Sequence, residues 1–177
     1  MAKKRKKSTL GLVFSAGAVL FAIAAVCMMF LNAVELVSGE NVLAQYTGVQ
    51  VAFGYSETYP LIGEVKFLNF SIMNLLPYIL ALAGAVVAIL AALSKKSFLL
   101  NIIAVACFVA AAVFFFTAAS YVSVAGSEGS GTLNVLVKNI VDALKDGDNL
   151  KIAIGSILGG VFSVVAAACS ALKIFVK

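Results

Sequence analysis

The sequence predicts an all-α membrane protein: a bundle of four transmembrane helices carrying a small extracytoplasmic antiparallel β element and a short outer amphipathic helix. Three observations predict it. First, four long apolar runs hold no ionisable side chain except at their ends. In a chain of 177 residues that is 63% hydrophobic and 12% charged, with a mean hydropathy of +1.09, they rule out a soluble domain, where roughly a quarter of residues are charged. Second, all 8 acidic residues fall in two windows beside these runs, 35–64 and 128–148. Third, the 13 basic residues sort the other way: Lys3, Lys4, Arg5, Lys6, Lys7, Lys95, Lys96, Lys173 and Lys177 flank the opposite ends, and only Lys66, Lys138, Lys145 and Lys151 share the acidic side. By the positive-inside rule both termini lie in the cytoplasm and the acidic windows lie outside, in a multi-pass protein of the cell membrane. Residues 1–177 form a single integral membrane domain. Its +5 net charge comes from cytoplasmic flanks, not from a basic face interleaved with aromatics, so the partner is the lipid bilayer and not nucleic acid.

Span one covers about 10–32. The basic cluster before it is a topology anchor, and an apolar stretch about twice a signal-peptide core argues for retention over cleavage. The first outer loop, 33–71, carries strand signals. Val49, Val51, Phe53 and Tyr55 alternate with Gly48, Gln50, Ala52 and Gly54, a period of two that predicts a strand over about 43–55. After a turn-like 56–60, Val65, Phe67 and Asn69 alternate with Glu64, Lys66 and Leu68, predicting an antiparallel partner over 64–70. A two-stranded hairpin is marginal alone, so it packs on the outer helix ends, on 35–45 as a third strand, or on a partner.

Span two covers 72–93, with Pro77 able to kink it. The turn at 94–97 permits only an antiparallel hairpin with span three, 98–123. The second outer loop, 124–151, differs from the first: Leu133, Leu136, Val137, Ile140, Val141 and Leu144 recur at helical spacing opposite Asn134, Lys138, Asp142 and Lys145, which predicts the amphipathic helix. Span four covers 152–172. All four runs are long enough for a hydrocarbon core of ~30 Å. Gly155, Gly159, Ser163, Ala167 and Ala171 recur every four positions in span four, as do Gly84, Ala88 and Ala92 in span two. Such rows allow the close backbone approach by which helices associate in lipid, and the first is a candidate helix-packing surface.

Catalytic chemistry has few candidates. There are no histidines, which removes the commonest general base near neutral pH and the commonest metal ligand. No Asp, Glu, Lys or Arg lies in the interior of a span, where proton relays and ion sites would need one. Asp146, Asp148 and Asn149 lack the spacing and terminal Glu of a calcium loop. Cys27, Cys107 and Cys169 lie at depths too different to pair and fit apolar packing. The expectation is no catalytic residue, no metal and no cofactor. What remains is an aromatic outer loop: Tyr46, Phe53, Tyr55 and Tyr59 are candidates for partner binding, since aromatics concentrate binding energy at interfaces, and equally for a membrane-interface belt or the core of the outer element.

The layout of four spans, cytoplasmic termini, a long strand-bearing first outer loop, a tight inner turn and a shorter second outer loop with a helix resembles the claudin and peripheral-myelin-protein superfamily. The likeness covers the whole chain as architecture. It implies a β element seated on a four-helix bundle. That family's first-loop signature of Trp, Gly-Leu-Trp and two cysteines is absent here, so no functional residue carries over, and the disulfide-free loop looks more like that of a small bacterial membrane protein. The expected function is non-enzymatic: an outer β-containing surface for contact with itself or another membrane protein, as adhesin, scaffold or accessory subunit. A transport component, either accessory subunit or small oligomeric pore, is the alternative.

Overall fold

A computed structural model describes residues 9–39, 41–60, 63–94, 97–125, 142 and 149–176. Four long helices dominate it: α1 (Thr9–Cys27), α3 (Ile72–Leu93), α4 (Ser97–Phe116) and α5 (Ile154–Phe175). All four are long and apolar enough to cross a membrane by length and composition. They form a closed ring in which α1 touches α3, α3 touches α4, α4 touches α5 and α5 returns to α1. Two spans stop short of their expected ends. α1 gives way to a 3-10 turn over Met28–Phe30, and α4 stops at Phe116, where the Thr117 hydroxyl donates to the Val113 carbonyl and a second 3-10 turn, Ala118–Tyr121, begins. Span four begins later than expected, at Ile154, because Leu150–Ile152 is a strand.

The interior of the ring is made of small residues. Ala18, Ala22, Ala85, Ala88, Ala104 and Ala166 are buried together, so the backbones approach closely, and α4 projects two fully buried rings into the remaining space. Phe108 lies over Gly84 of α3, where a Cβ would sit 2.6 Å from the ring, and Phe115 lies over Gly159 of α5, where a Cβ would sit 2.8 Å away. Each glycine is thus the hole for an aromatic knob. At the head of α5, Gly155 meets backbone instead: a Cβ there would lie 2.7 Å from the Asn32 carbonyl oxygen. Ser163 returns its hydroxyl to the Gly159 carbonyl at 2.8 Å, Ala167 is buried beside Ala166, and Ala171 is half-buried.

At one end of the ring sits a sheet module. A three-stranded antiparallel sheet has the order β2 (Asn41–Thr47), β1 (Asn32–Ser38), β5 (Leu150–Ile152). β1 leads straight out of the 3-10 turn that ends α1. Gly39, with φ +62°, turns it into β2. Val34 and Leu36 alternate inward from β1 and are fully buried, while Glu35 lies in register between Gln45 on one side and Lys151 on the other. Opposite charges in such register stabilise a sheet by ~0.2–1 kcal/mol. A second sheet pairs β3 (Tyr55–Tyr59) with β4 (Gly63–Leu68), and the chain after α4 is stitched to the far side of β4 by Asn69 N–H to Ser123 O, 2.8 Å, and Ala125 N–H to Phe67 O, 3.0 Å.

The expected strand over 43–55 is corrected. Gly48–Phe53 is a short helix, α2, placed between β2 and β3. Its N-terminus is a reciprocal capping box: the Thr47 hydroxyl accepts from Gln50 N–H, and the Gln50 side-chain oxygen accepts from Thr47 N–H at 2.9 Å. The residues it buries, Gly48, Val51 and Ala52, sit at helical spacing, so a face of period 3.6 outweighs the alternation of bulky residues. The segment 56–60, expected as a turn, belongs mostly to β3. In β4 Phe67 faces in while Glu64 and Lys66 face out, following the alternation, but Leu68, expected on the face of Glu64 and Lys66, is fully buried, and the strand ends there instead of at 70. The amphipathic helix expected over 133–144 lies outside the described residues, apart from Asp142, as do Asp146 and Asp148.

Candidate functional site

The sheet module has its own core of large side chains, unlike the ring beneath it. Val34, Leu36, Tyr46, Val51, Phe67 and Leu68 are buried together, with Tyr55 and Tyr59 packed against them and half-exposed. Tyr46 meets Tyr55 edge-on with centroids 6.1 Å apart, and Tyr55 stacks on Phe67 at 6.0 Å. Burial pushes the Tyr46 phenol up from 10.0 to about 12, with Tyr55, Tyr59 and Glu57 adding in the same direction. The Tyr59 hydroxyl donates to the Glu57 carboxylate at 2.8 Å, which is the first cause of its own raised pKa.

The four aromatic candidates therefore divide. Tyr46 is a core residue. Tyr55 and Tyr59 show one edge each at the surface of β3, beside the exposed Ser56, Glu57 and Thr58. Phe53 belongs elsewhere: at the end of α2 it faces Phe70 with centroids 6.4 Å apart and is 56% exposed. The structure brings Tyr46, Tyr55 and Tyr59 into one cluster and does not bring Phe53 to it.

A second surface was not expected. β2 is an edge strand among the described residues, and it carries Val42 and Leu43 in exposed positions near the Gly39 turn. At ~3.3 Å per residue this lies about 20 Å along the strand from the end of α1. Two exposed branched apolar side chains on an unpaired strand edge are the ingredients of strand addition by another chain.

Between module and ring lies a buried polar junction. Ser71 caps α3 by accepting from Asn74 N–H and Asn74 Nδ2, and donates to the Tyr121 carbonyl at 2.8 Å. The Asn74 side-chain oxygen and the Ser156 hydroxyl are both buried and have no hydrogen-bond partner among the described residues. Both border a cavity of about 10 Å³ that Gly48, Pro77, Tyr78 and Phe115 also line. That is room for roughly one water, which two such acceptors would hold. A Cβ at Gly48 would collide with the Met29 carbonyl at 2.9 Å and with the Tyr78 hydroxyl, so the junction depends on the missing side chain.

Elsewhere the polar groups of the helices bond locally or stay buried. Ser15 donates back to Gly11, while the Asn101 oxygen and Ser170 hydroxyl have no hydrogen-bond partner among the described residues. Among the described residues no three of His, Cys, Asp and Glu converge, and Cys27, Cys107 and Cys169 are all free thiols.

Reading the sequence alone missed Asn74, Phe70, Val42 and Leu43. Asn74 had a signal in the Ser71-x-x-Asn74 spacing of a helix cap. Phe70 and the β2 pair had none, because what makes them notable is their exposure. In comparison with known proteins, no family model matches the chain, and no curated protein or solved structure is significantly similar to it.

Proposed function

We propose that the chain is a multi-pass protein of the cell membrane, with both termini in the cytoplasm and the sheet module outside, which acts by contact and catalyses no reaction. The contact is with a second protein or a second copy, and it is made through the module's exposed edges. The observation that carries this reading is the β2 edge: Val42 and Leu43 are exposed on a strand whose outer edge has no partner among the described residues, well away from the apolar helix exteriors. An unpaired edge offers backbone hydrogen bonds and two side-chain anchors, which is how an added strand gains affinity and specificity. Tyr55 and Tyr59 on β3 supply a second, aromatic patch on the same module.

The orientation rests on the asymmetry of basic residues. A single Cys at Ser56 in a cysteine-free background should react with an impermeant thiol reagent from outside intact cells, and one at Ser94 should not. Reaction at Ser94 would invert the topology.

For the contact itself, affinity-tagged full-length protein is extracted from native membranes and its copurifying chains are weighed. Val42→Lys with Leu43→Lys should remove a stoichiometric partner, or convert a self-associated form to a monomer, while leaving thermal stability in place. A transport component, accessory subunit or oligomeric pore, is the second reading, favoured by the polar atoms of Asn101, Ser156 and Ser170 buried inside the ring. Phe108 and Phe115 fill one copy's interior, so a path along those buried atoms requires the ring to open. If every association survives the edge substitutions while solute flux into proteoliposomes responds to changes within the helices, the transport reading replaces the contact reading.

A further inference from the structure

We infer that α2 and the residues around Phe70 form a wedge seated in the lipid leaflet on the sheet side, which fixes the height and tilt of the sheet module on the bilayer. The inference rests on the membrane-spanning reading above and reassigns Phe53 from protein contact to lipid contact.

The position of α2 comes from its hydrogen bonds. Gly48 N–H donates to the Leu31 carbonyl at 3.1 Å, and Ser71 N–H donates to the Ala52 carbonyl at 2.9 Å. Its first residue is thus tied to the end of α1 and its last turn to the start of α3, so α2 lies at the level where both helices end. It cannot ride up with the strands. Just beyond it, Gly54 passes so close to the Leu68 carbonyl that a Cβ would lie 2.9 Å away, which pins the exit to the end of β4.

The chemistry of its outward face is apolar. α2 buries Gly48, Val51 and Ala52, leaving the half-buried Val49 and the exposed Phe53, four residues apart and hence on one side. Gln50, the one polar side chain of the helix, is engaged in the capping box at its own N-terminus. Phe70, 54% exposed, stands against Phe53, and beyond the buried Ser71 apolar side chains are exposed again at Ile72 and Met73, in the first turn of α3. Phe30, at the end of the 3-10 turn beside Leu31, is exposed as well. No Asp, Glu, Lys or Arg occurs between Glu40 and Glu57, or between Lys66 and Lys95. A hydrated patch or a salt-tuned protein interface would carry such residues at its rim.

Phenylalanine also fits this place better than a headgroup contact. Tyr and Trp present a polar tip and settle at the headgroups; Phe has none and sits just beneath them. The module's tyrosines Tyr46, Tyr55 and Tyr59 are on the sheets, whereas Phe30, Phe53 and Phe70 form the rim below.

The chain contains no Trp, so each single substitution gives a unique fluorophore. Phe53→Trp and Phe70→Trp are reconstituted as full-length protein in phosphatidylcholine vesicles, plain or brominated near the headgroup or near the chain end. Val86→Trp, on the exposed side of α3, is the lipid reference, and Thr58→Trp, on the exposed face of β3, is the water reference. Both test variants should emit to the blue of Thr58→Trp, lose most of their emission with shallow bromine, lose less with deep bromine, and resist acrylamide. Emission like that of Thr58→Trp with ready acrylamide quenching, in either variant, would overturn the wedge. Blue emission quenched by neither agent would also overturn it, in favour of a protein contact. If Val86→Trp itself escapes bromine, the membrane-spanning reading has failed, and the wedge with it.

Discussion

The helical ring and the sheet module bury opposite kinds of residue. Inside the ring lie alanines, glycines and serines with two phenylalanine knobs, while Leu20, Leu82, Val86 and Leu90 point out. Inside the module lie Val34, Leu36, Tyr46, Phe67 and Leu68, while Ser56, Glu57, Thr58, Glu64 and Lys66 point out. The proposed membrane-spanning reading makes the difference one of solvent. In water, taking large apolar groups out of contact with solvent is the main driving force, at roughly 25 cal/mol per Å². In hydrocarbon a leucine gains nothing by turning inward, and helices associate through close packing of small residues. On the proposed membrane-spanning reading, one chain folds by both rules, and the inferred place of α2 is the line between the two solvents.

Substituting the same residue type on both sides of that line tests the comparison most strongly. Leu36→Ala removes a fully buried side chain from the module, 0% exposed, and should destabilise it by ~2–5 kcal/mol, whereas Leu82→Ala, 56% exposed on the ring exterior, should change thermal stability in detergent by less than about 0.5 kcal/mol. Equal losses in the two variants would mean that the ring, too, is held by its large residues. Enlarging a small residue should hurt where shrinking a large one does not. Gly159→Leu places carbon where the Phe115 ring already stands, and overpacking of this kind costs ~1–3 kcal/mol. Adding Phe115→Ala should recover part of the loss, and strict additivity of the two effects would show that the knob and its hole are not coupled.

The smallest effect is on titration. Tyr46 is more acid-retentive in the folded module than in an unfolded chain, so its contribution to stability is present below pH 10 and is lost as pH rises through about 12. The difference in ultraviolet absorbance titration between wild type and Tyr46→Phe should have its midpoint near 12. A midpoint near 10 would place this ring at the water-facing surface and blur the distinction between the module's core and its exterior.

The misread segment shows what local pattern carries and what it leaves out. Gly48 to Phe53 offers an alternation of bulky residues, but Thr47-x-x-Gln50 is also a capping signature, and six residues are too few for periodicity to choose between the two. The choice is made by the hydrogen bonds that clamp α2 between Leu31 and Ser71, partners 17 and 19 residues away in sequence. β5 was hidden for a related reason: three residues, Leu150–Ile152, have no meaning as a strand until β1 lies beside them.

The sequence by itself determined the four apolar helices, the tight α3–α4 hairpin and the strand-bearing character of the first polar window. Each follows from a repeated local quantity, such as hydrophobic length, charge placement or alternation, summed over many residues. It also contained the small-residue row of α5, because such a row is periodic. Tertiary structure alone decided which surface each aromatic serves. Tyr46 went to the core, Tyr55 and Tyr59 to the edge of the module, and Phe53 to the rim beside Phe70. Burial is a property of what lies across from a side chain, and for these residues that neighbour comes from a different element of the fold.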